Sequence, residues 1–146
     1  MRKLNSKLLY VFCALLFFSA FTSGKKDIIT IFMIGDSTMA NKSLKNGNIE
    51  RGWGQMLPEF LIGDVRVDNH AMNGRSSQSF IDEGRWDVVL SKLKSGDYVF
   101  IQFGHNDEKS AEELHTIPGS TFDENLRRFV RETRAKGAYP VLFNSI

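Results

Sequence analysis

Residues 28–40 read IITIFMIGDSTMA, and the interpretation of the whole chain starts from this stretch. Apolar and β-branched residues fill positions 28–34, which is the pattern of a strand covered on both faces. The run stops at Gly35, and one acid and two hydroxyls follow it, namely Asp36, Ser37 and Thr38. A helix N-cap would use only one of these three polar residues. The tight Gly-Asp-Ser turn after an apolar strand therefore needs a further explanation.

Strand-like and helix-like segments alternate along the rest of the chain. Strands are predicted at 65–71, 98–104 and 139–146, and helices at 53–62, 85–96 and 121–137. Gly96 and Gly137 are predicted to end the last two helices, and Thr121 with Glu124 is predicted to form a capping box. This order predicts an α/β fold with a parallel sheet, right-handed crossovers and helices on both faces.

The first 24 residues have the layout of a secretory signal peptide. A short basic segment, an apolar run of 14 residues and a small-residue end follow one another in MRKLNSKLLYVFCALLFFSAFTSG. The alternative is a membrane anchor, for which the apolar run is short. We expect cleavage near Gly24, a mature domain over 25–146, and a secreted or periplasmic protein with no membrane attachment after cleavage.

Removal of this segment changes the composition. Three of the 19 basic residues and the only cysteine, Cys13, lie within it, which leaves 16 basic residues against 17 acidic ones. A nearly neutral domain gives no reason to expect a nucleic-acid partner. Without cysteine the domain has no disulfide and no thiolate nucleophile, and no His, Asp or Glu cluster has metal-ligand spacing. No cofactor and no metal are therefore predicted.

The sequence ends on the predicted strand 139–146. A buried strand needs cover on its far face and a neighbour or other protection at its edge. We therefore expect a C-terminally truncated domain, with at least one more helix in the complete protein.

Three polar clusters are expected to meet beyond the carboxyl ends of the strands, where ligands of such folds bind. They are GDST at 35–38, NHAMNGRSS at 69–77 and FGHND at 103–107. A serine such as Ser37 can act as a nucleophile if a base lies beside it. Gly74 can be a turn former or a backbone donor to a developing oxyanion, and Asn106 can be a cap or a side-chain donor to the same oxyanion.

These clusters resemble the first three blocks of the SGNH (GDSL-type) hydrolases. More narrowly, IGDSTMA, GWGQML, NHAMNGRSS and FGHND are similar to the rhamnogalacturonan acetylesterases, carbohydrate esterases that act on pectin. The resemblance covers nearly all of residues 28–146. It implies a flavodoxin-like, three-layer α/β/α sandwich with a five-stranded parallel sheet.

The resemblance also assigns roles to residues of this chain. It implies that Ser37 is the nucleophile and that its own N–H is one oxyanion donor, with the Gly74 N–H and the Asn106 side chain as the other two. Asp36 would support the nucleophile, and His105 would make a local hydrogen bond. His70 is interpreted as structural and His115 as solvated.

The sequence departs from the family pattern at the general base. The family uses a histidine, oriented by an aspartate three residues earlier, in a DxxH block near the C-terminus, and no such block occurs here. Any of the three histidines present would be an unusual substitute.

The sequence therefore predicts an exported serine esterase that removes O-acetyl groups from a plant cell-wall polysaccharide such as rhamnogalacturonan. The chain alone is expected to be nearly inactive, and its partner is expected to be an acetylated polysaccharide or oligosaccharide. Two alternatives remain open. One is a non-catalytic carbohydrate-binding protein that keeps the fold, and the other is an SGNH lipase or lysophospholipase.

Overall fold

A computed structural model describes residues 28–145 of the chain. The strands in this range are β1 (Ile29–Gly35), β2 (Val65–Asn69), β3 (Tyr98–Gln102) and β4 (Tyr139–Leu142). The α-helices are α1 (Trp53–Met56), α2 (Ser77–Asp82), α3 (Arg85–Lys92) and α4 (Thr121–Ala135), with short 3-10 helices at Lys45–Gly47 and Leu57–Phe60. The predicted signal peptide, including Cys13, lies outside the described residues.

The four strands form one parallel sheet in the order β2-β1-β3-β4. Ile31 of β1 pairs with Val67 on one side and with Tyr98 on the other, so β1 is flanked on both sides. The chain first places β2 on one side of β1 and then crosses to place β3 on the other. The carboxyl ends of β1 and β3 therefore border the crevice where doubly wound sheets bind their ligands.

Two apolar cores lie on opposite faces of the sheet. Phe32 and Ile34 of β1 belong to the first core, which α2, α3 and α4 close. Ile31 and Met33 belong to the second core, which the loop after β1 and the segment beginning with α1 close. All four of these β1 side chains are at least nine-tenths buried. The predicted three-layer α/β/α arrangement and the doubly covered first strand are therefore confirmed.

β4 forms the edge of the sheet in the described residues. The Tyr139 N–H donates to the Asp97 carbonyl over 2.8 Å and the Phe143 N–H donates to the Ile101 carbonyl over 2.9 Å. The N–H groups of odd-numbered residues therefore face β3, and Pro140 stands where an N–H would point away from the sheet. A proline at such a position removes no hydrogen bond from the ladder. Tyr139 and Leu142 remain 56% and 51% exposed.

The predicted helix at 53–62 is wrong in its length and type. The α-helix covers only Trp53–Met56, and a 3-10 helix follows over Leu57–Phe60. Pro58 explains the break, because proline has no N–H to donate to the carbonyl of Gly54 and its ring clashes with that carbonyl. Phe60 is consequently exposed, not part of a continuous apolar helix face.

The region between β2 and β3 also differs from the prediction. The helix expected over 85–96 ends at Lys92, because Leu93 is extended and starts the turn that contains Gly96. A separate helix, α2, precedes it and was absent from the prediction. The signal for α2 was Ser76 followed by Ser79: each serine hydroxyl accepts the backbone N–H of the other, at 3.1 and 3.0 Å. This reciprocal pair forms a capping box with serine in place of the usual glutamate.

The capping box predicted for Thr121 and Glu124 does not form. Ser120 is the N-cap of α4, so Glu124 is one position too far along the helix to reach back to the cap. The Thr121 hydroxyl instead accepts the N–H of Ile117 over 2.8 Å. The predicted C-terminal stop is confirmed, since Gly137 follows the C-cap with a left-handed φ of 73°.

Candidate active site

The turn after β1 carries Ser37 at the carboxyl edge of the sheet. Asp36 is buried, and its Oδ1 accepts the Thr38 N–H at 2.9 Å and lies 2.8 Å from the Thr38 hydroxyl. The Ala40 N–H closes the turn by donating to the Asp36 carbonyl over 3.0 Å. Ser37 itself is half-buried, so the turn is rigid while its serine still reaches the surface.

The glycine before this turn is required by space. A Cβ on Gly35 would lie 2.6 Å from the carbonyl oxygen of Gln102, its neighbour in β3. Any side chain here would push β1 and β3 apart next to Ser37. The glycine of the GDST cluster is thus needed for the close approach of two strands.

The segment that contains α1 packs directly on the Ser37 turn. The Trp53 N–H donates to the Thr38 carbonyl over 2.9 Å. A Cβ on Gly52 would lie 2.0 Å from the Ala40 carbonyl oxygen, and one on Gly54 would lie 2.6 Å from the Met39 carbonyl oxygen. The two glycines of GWGQML therefore let this segment lie against the turn, a contact that the sequence analysis did not predict.

Gln102, at the end of β3, connects the Ser37 turn to the segment that contains α1 through its side chain. Its Oε1 accepts the indole N–H of Trp53 at 2.7 Å and lies 3.0 Å from the Thr38 hydroxyl. Its Nε2 donates to the Asn144 carbonyl over 3.0 Å. Sequence reasoning missed this residue, because a glutamine inside a strand pattern has no separate signal for such a role.

The loop after β2 is attached to β1 and reaches Gly74. The His70 N–H donates to the Met33 carbonyl at 2.8 Å, and the Met72 N–H donates to the Gly35 carbonyl at 3.0 Å. Gly74 has a φ of +74°, and no atom outside Gly74 and its two chain neighbours lies within 4 Å of the position that a Cβ would occupy. Glycine is therefore required here by the backbone conformation, which L side chains rarely adopt.

Asn106 lies in the turn after β3 and is almost completely buried. Its Nδ2 donates to the Arg75 carbonyl over 3.1 Å, so the third loop is joined to the residue next to Gly74. The Lys109 ammonium donates to Asn106 Oδ1 over 2.6 Å. The structure thus brings Asn106 and the Gly74 loop together, next to the strand end that carries Ser37.

Asp107 is a second buried link between these loops. Its carboxylate accepts the Ser77 N–H at 3.0 Å, the Ser77 hydroxyl, and the Thr116 hydroxyl at 3.1 Å. Burial raises the pKa of the Asp107 carboxyl, and this effect outweighs the hydrogen bonds to Ser77, Thr116 and Gly104 that lower it. The FGHND cluster contained this residue, but its pattern gave no sign that the carboxylate would be buried.

The histidines are not hydrogen-bonded to the proposed nucleophile in the described part of the chain. Within residues 28–145, no hydrogen bond joins the Ser37 hydroxyl to His70, His105 or His115. His70 Nε2 lies 3.2 Å from Asp68 Oδ1, and His115 is exposed with Nδ1 3.1 Å from the Lys109 carbonyl. His105 is half exposed, and its nearest acidic partner is Glu108 at 3.8 Å, which is too long for the expected local hydrogen bond.

Residues 28–145 contain no group of three or more His, Cys, Asp or Glu side chains that could hold a metal ion. No helix in the same range combines the length and the apolar character needed to cross a membrane.

Comparison with known proteins assigns this chain to a family. The sequence profile of the GDSL-like lipase/acylhydrolase family matches residues 33–145. The chain belongs to this family. This match confirms the family resemblance predicted from the GDST, NGRSS and GHND blocks. It also confirms the hydrolase fold that the resemblance implied.

Curated relatives of this family member include rhamnogalacturonan acetylesterases of Bacillus subtilis (strain 168). RhgT is 40% identical over 83% of this chain and 50% of its own length. YesY, a probable rhamnogalacturonan acetylesterase, is 36% identical over 80% of this chain and 53% of its own length. The chain therefore spans about half the length of these relatives.

A solved structure supports the same fold. The crystal structure of YxiM from Bacillus subtilis superposes on 81% of this chain and 33% of YxiM, with a TM-score of 0.71 and 34% sequence identity. This chain therefore shares its fold with YxiM, whose structure was determined by crystallography.

Proposed function

We propose that this family member carries the nucleophile and oxyanion donors of a carbohydrate acetylesterase. Ser37 attacks the carbonyl carbon of an O-acetyl ester, and the N–H groups of Ser37, Gly74 and the Asn106 side chain stabilise the oxyanion. The Ser37 proton passes through the base to the sugar oxygen, which departs as a hydroxyl and leaves Ser37 acetylated. Water then hydrolyses the acetyl-serine ester, which releases acetate and restores the Ser37 hydroxyl. Each such donor contributes on the order of 3 kcal/mol to lowering the barrier in related acyl-transfer enzymes.

One structural observation carries the proposal. The hydrogen bond from Asn106 to the Arg75 carbonyl joins two of the proposed donor loops, and the Met72–Gly35 bond attaches one of them to the strand that ends at Ser37. The names of RhgT and YesY support acetylated rhamnogalacturonan as the substrate class. The signal-like pattern of the first 24 residues supports export, with a polysaccharide outside the cell as the partner.

The proton acceptor for Ser37 is proposed to lie outside this chain. The lack of any histidine hydrogen bond to Ser37 within the described residues supports this proposal, since a serine hydroxyl at neutral pH needs a base. The chain alone should then show only the residual catalysis that binding and the oxyanion hole provide.

Ester hydrolysis by the purified chain tests these proposals. Wild-type protein and Ser37→Ala are compared on p-nitrophenyl acetate, and acetate release is measured from acetylated rhamnogalacturonan. We expect slow release that depends on Ser37. Equal rates for the two proteins would contradict the role of Ser37, whereas fast turnover by the wild type would contradict the external base.

Two further substrates separate the alternatives. p-Nitrophenyl octanoate tests the lipase alternative, because an acetylesterase should prefer the short acyl group. The lack of a histidine hydrogen bond to Ser37 within residues 28–145 is equally expected for the non-catalytic carbohydrate-binding alternative, which calorimetry with acetylated and deacetylated rhamnogalacturonan tests. Tight binding without any hydrolysis dependent on Ser37 would establish that alternative.

A further inference from the structure

The carboxamide of Asn106 is held at both of its ends. Oδ1 accepts a hydrogen bond from the Lys109 ammonium at 2.6 Å, and Nδ2 donates to the Arg75 carbonyl at 3.1 Å. An ammonium can only donate and a carbonyl can only accept. A flipped carboxamide would place donors against donors and acceptors against acceptors, so these two partners fix which way the group points.

This arrangement leaves a single amide proton for a ligand. A carboxamide has two N–H groups, and the Arg75 carbonyl takes one of them. No other protein acceptor in residues 28–145 bonds to Nδ2, although Asn106 is only 1% exposed. A buried donor without a partner is costly in the free protein, which makes the second N–H the group that an incoming oxygen would satisfy.

Lys109 is placed for this contact by the local backbone. Its N–H donates to the Asn106 carbonyl over 3.2 Å and closes the turn, so its side chain returns over that of Asn106. No carboxylate in the described range forms an ion pair with Lys109, so Asn106 Oδ1 does not compete with a carboxylate for its ammonium. A charge-assisted hydrogen bond to the oxygen polarises the carboxamide and makes its N–H groups stronger donors.

The side chain of Arg75, the residue at the other end, is also held by hydrogen bonds. The Arg75 Nε donates to both carboxylate oxygens of Glu83, at 3.1 and 3.2 Å, and one terminal nitrogen donates to the Asn73 carbonyl over 3.0 Å. The hydrogen bond from Arg85 lowers the pKa of the Glu83 carboxyl most, and the bonds from Arg75 lower it further, against a smaller opposing effect of burial. The Gly74 loop and the Asn106 carboxamide are thereby held in one fixed relation.

We propose that Lys109 is a positioning residue that, with the Arg75 carbonyl, orients and polarises the Asn106 carboxamide so that its one free N–H faces the ester oxygen. The orientation rests on the contacts above, and its use in catalysis rests on the proposed function. Lys109 touches no substrate in this arrangement and acts only through Asn106.

Nuclear magnetic resonance of the 15N-labelled chain tests the orientation without any need for activity. The side-chain NH2 signals of Asn106 are assigned by their loss in Asn106→Asp. We expect Lys109→Met to shift these signals and Lys109→Arg to restore most of the wild-type position. Lys136→Met, which removes an exposed lysine at the end of α4, is the control. Unchanged Asn106 signals in Lys109→Met would overturn the proposal.

Kinetics then test the use of this N–H. On p-nitrophenyl acetate, Lys109→Met should lower kcat by about tenfold with little change in KM, less than the loss of a whole oxyanion donor. Lys109→Arg should recover the rate. An equal loss in Lys136→Met, or a rise in KM alone, would overturn the role in the transition state. Absence of any hydrolysis dependent on Ser37 in the wild type would instead overturn the proposed function, while the NMR result would still decide the orientation.

Discussion

Buried polar side chains near the site differ in how well their hydrogen-bonding capacity is satisfied. Asp107 accepts several hydrogen bonds, yet burial still raises the pKa of its carboxyl. The native state therefore holds the Asp107 proton to higher pH than the unfolded chain does. The contribution of this group to stability is fully present below the ordinary aspartate pKa, and it is lost as the pH rises through the raised native pKa.

Asp107→Asn should remove this pH dependence, because the amide does not titrate. Relative to the variant, the wild type should lose stability as the pH rises from the ordinary aspartate value of 3.8 through the raised native pKa. Urea unfolding midpoints over a series of pH values between acid and neutral measure the difference. The control is Asp64→Asn, at an exposed carboxylate. If the stability of the wild type relative to Asp107→Asn stays constant or increases as the pH rises, the predicted direction is contradicted.

Thr133 shows the opposite situation, a buried hydroxyl without a partner. Its side chain is fully buried in α4, and its Oγ1 has no hydrogen-bond partner among the described residues. Thr133→Val keeps the shape and removes the unpaired group, so it should stabilise the protein by about 1 kcal/mol. Thermal unfolding checks this, with Thr121→Val as a matched control that should destabilise because it breaks the bond from the Ile117 N–H.

The sequence predicted the helical position of Thr133 but not its unpaired hydroxyl. The spacing of Leu126, Phe129 and Val130 places residue 133 on the apolar face of α4. Whether a hydroxyl on that face finds an acceptor depends on side chains distant in the sequence. The same limit applies to Lys109, since a lysine three residues after an asparagine in a loop reads as a solvated charge.

Among the elements, α2 depends most on its first turn. It has only six residues, and an isolated helix of that length is not stable in water. The reciprocal bonds of Ser76 and Ser79 satisfy two backbone N–H groups, and Asp107 accepts the N–H of Ser77 between them. The start of this helix therefore fixes the loop that carries Gly74 and Arg75.

Ser76→Ala should cost about 1–2 kcal/mol of stability, since it removes one half of a buried capping box. Chemical unfolding measures the loss. Ser91→Ala, an exposed serine within α3, should change the unfolding free energy by only a few tenths of a kcal/mol. If the two variants were equally stable, the capping contacts would not be what holds this loop.

The strands were predictable because β1 and β3 are short apolar runs that end at polar clusters, and β2 alternates valine with polar residues before such a cluster. The helices were predicted less well where local features compete with periodicity. Pro58 breaks the apolar run at 53–62, and the Ser76–Ser79 pair starts a helix too short to show a period. Site residues at strand ends could be predicted, whereas Gln102 and Asp107 required the tertiary contacts.

At the scale of the whole molecule, β1 connects both cores and should make them unfold together. Phe32 and Ile34 pack in one core, and Ile31 and Met33 pack in the other. Neither core can lose its β1 side chains without exposing those of the other. A domain built in this way is expected to unfold in a single cooperative transition.

The two tryptophans of the chain allow a direct test, because each reports on one core. Trp86 is buried in the first, and Trp53 packs against the second. Trp53→Phe and Trp86→Phe each leave one tryptophan, and its fluorescence transition is compared with far-UV circular dichroism of the same variant. Coincident midpoints within each variant are expected, and a fluorescence midpoint separate from that of the secondary structure would show that the layers unfold independently.

Pro140 affects the tendency of the β4 edge to aggregate at high protein concentration. Self-templating growth of fibrils needs an unbroken row of alternating amide donors and carbonyl acceptors along an accessible strand. On the outward side of β4, Leu142 supplies the single amide donor within the strand, because the ring nitrogen of Pro140 carries no hydrogen. An approaching copy therefore finds an interrupted template. Within residues 28–145, the half-exposed Tyr139 and Leu142 therefore lie on an edge that disfavours ordered stacking between copies.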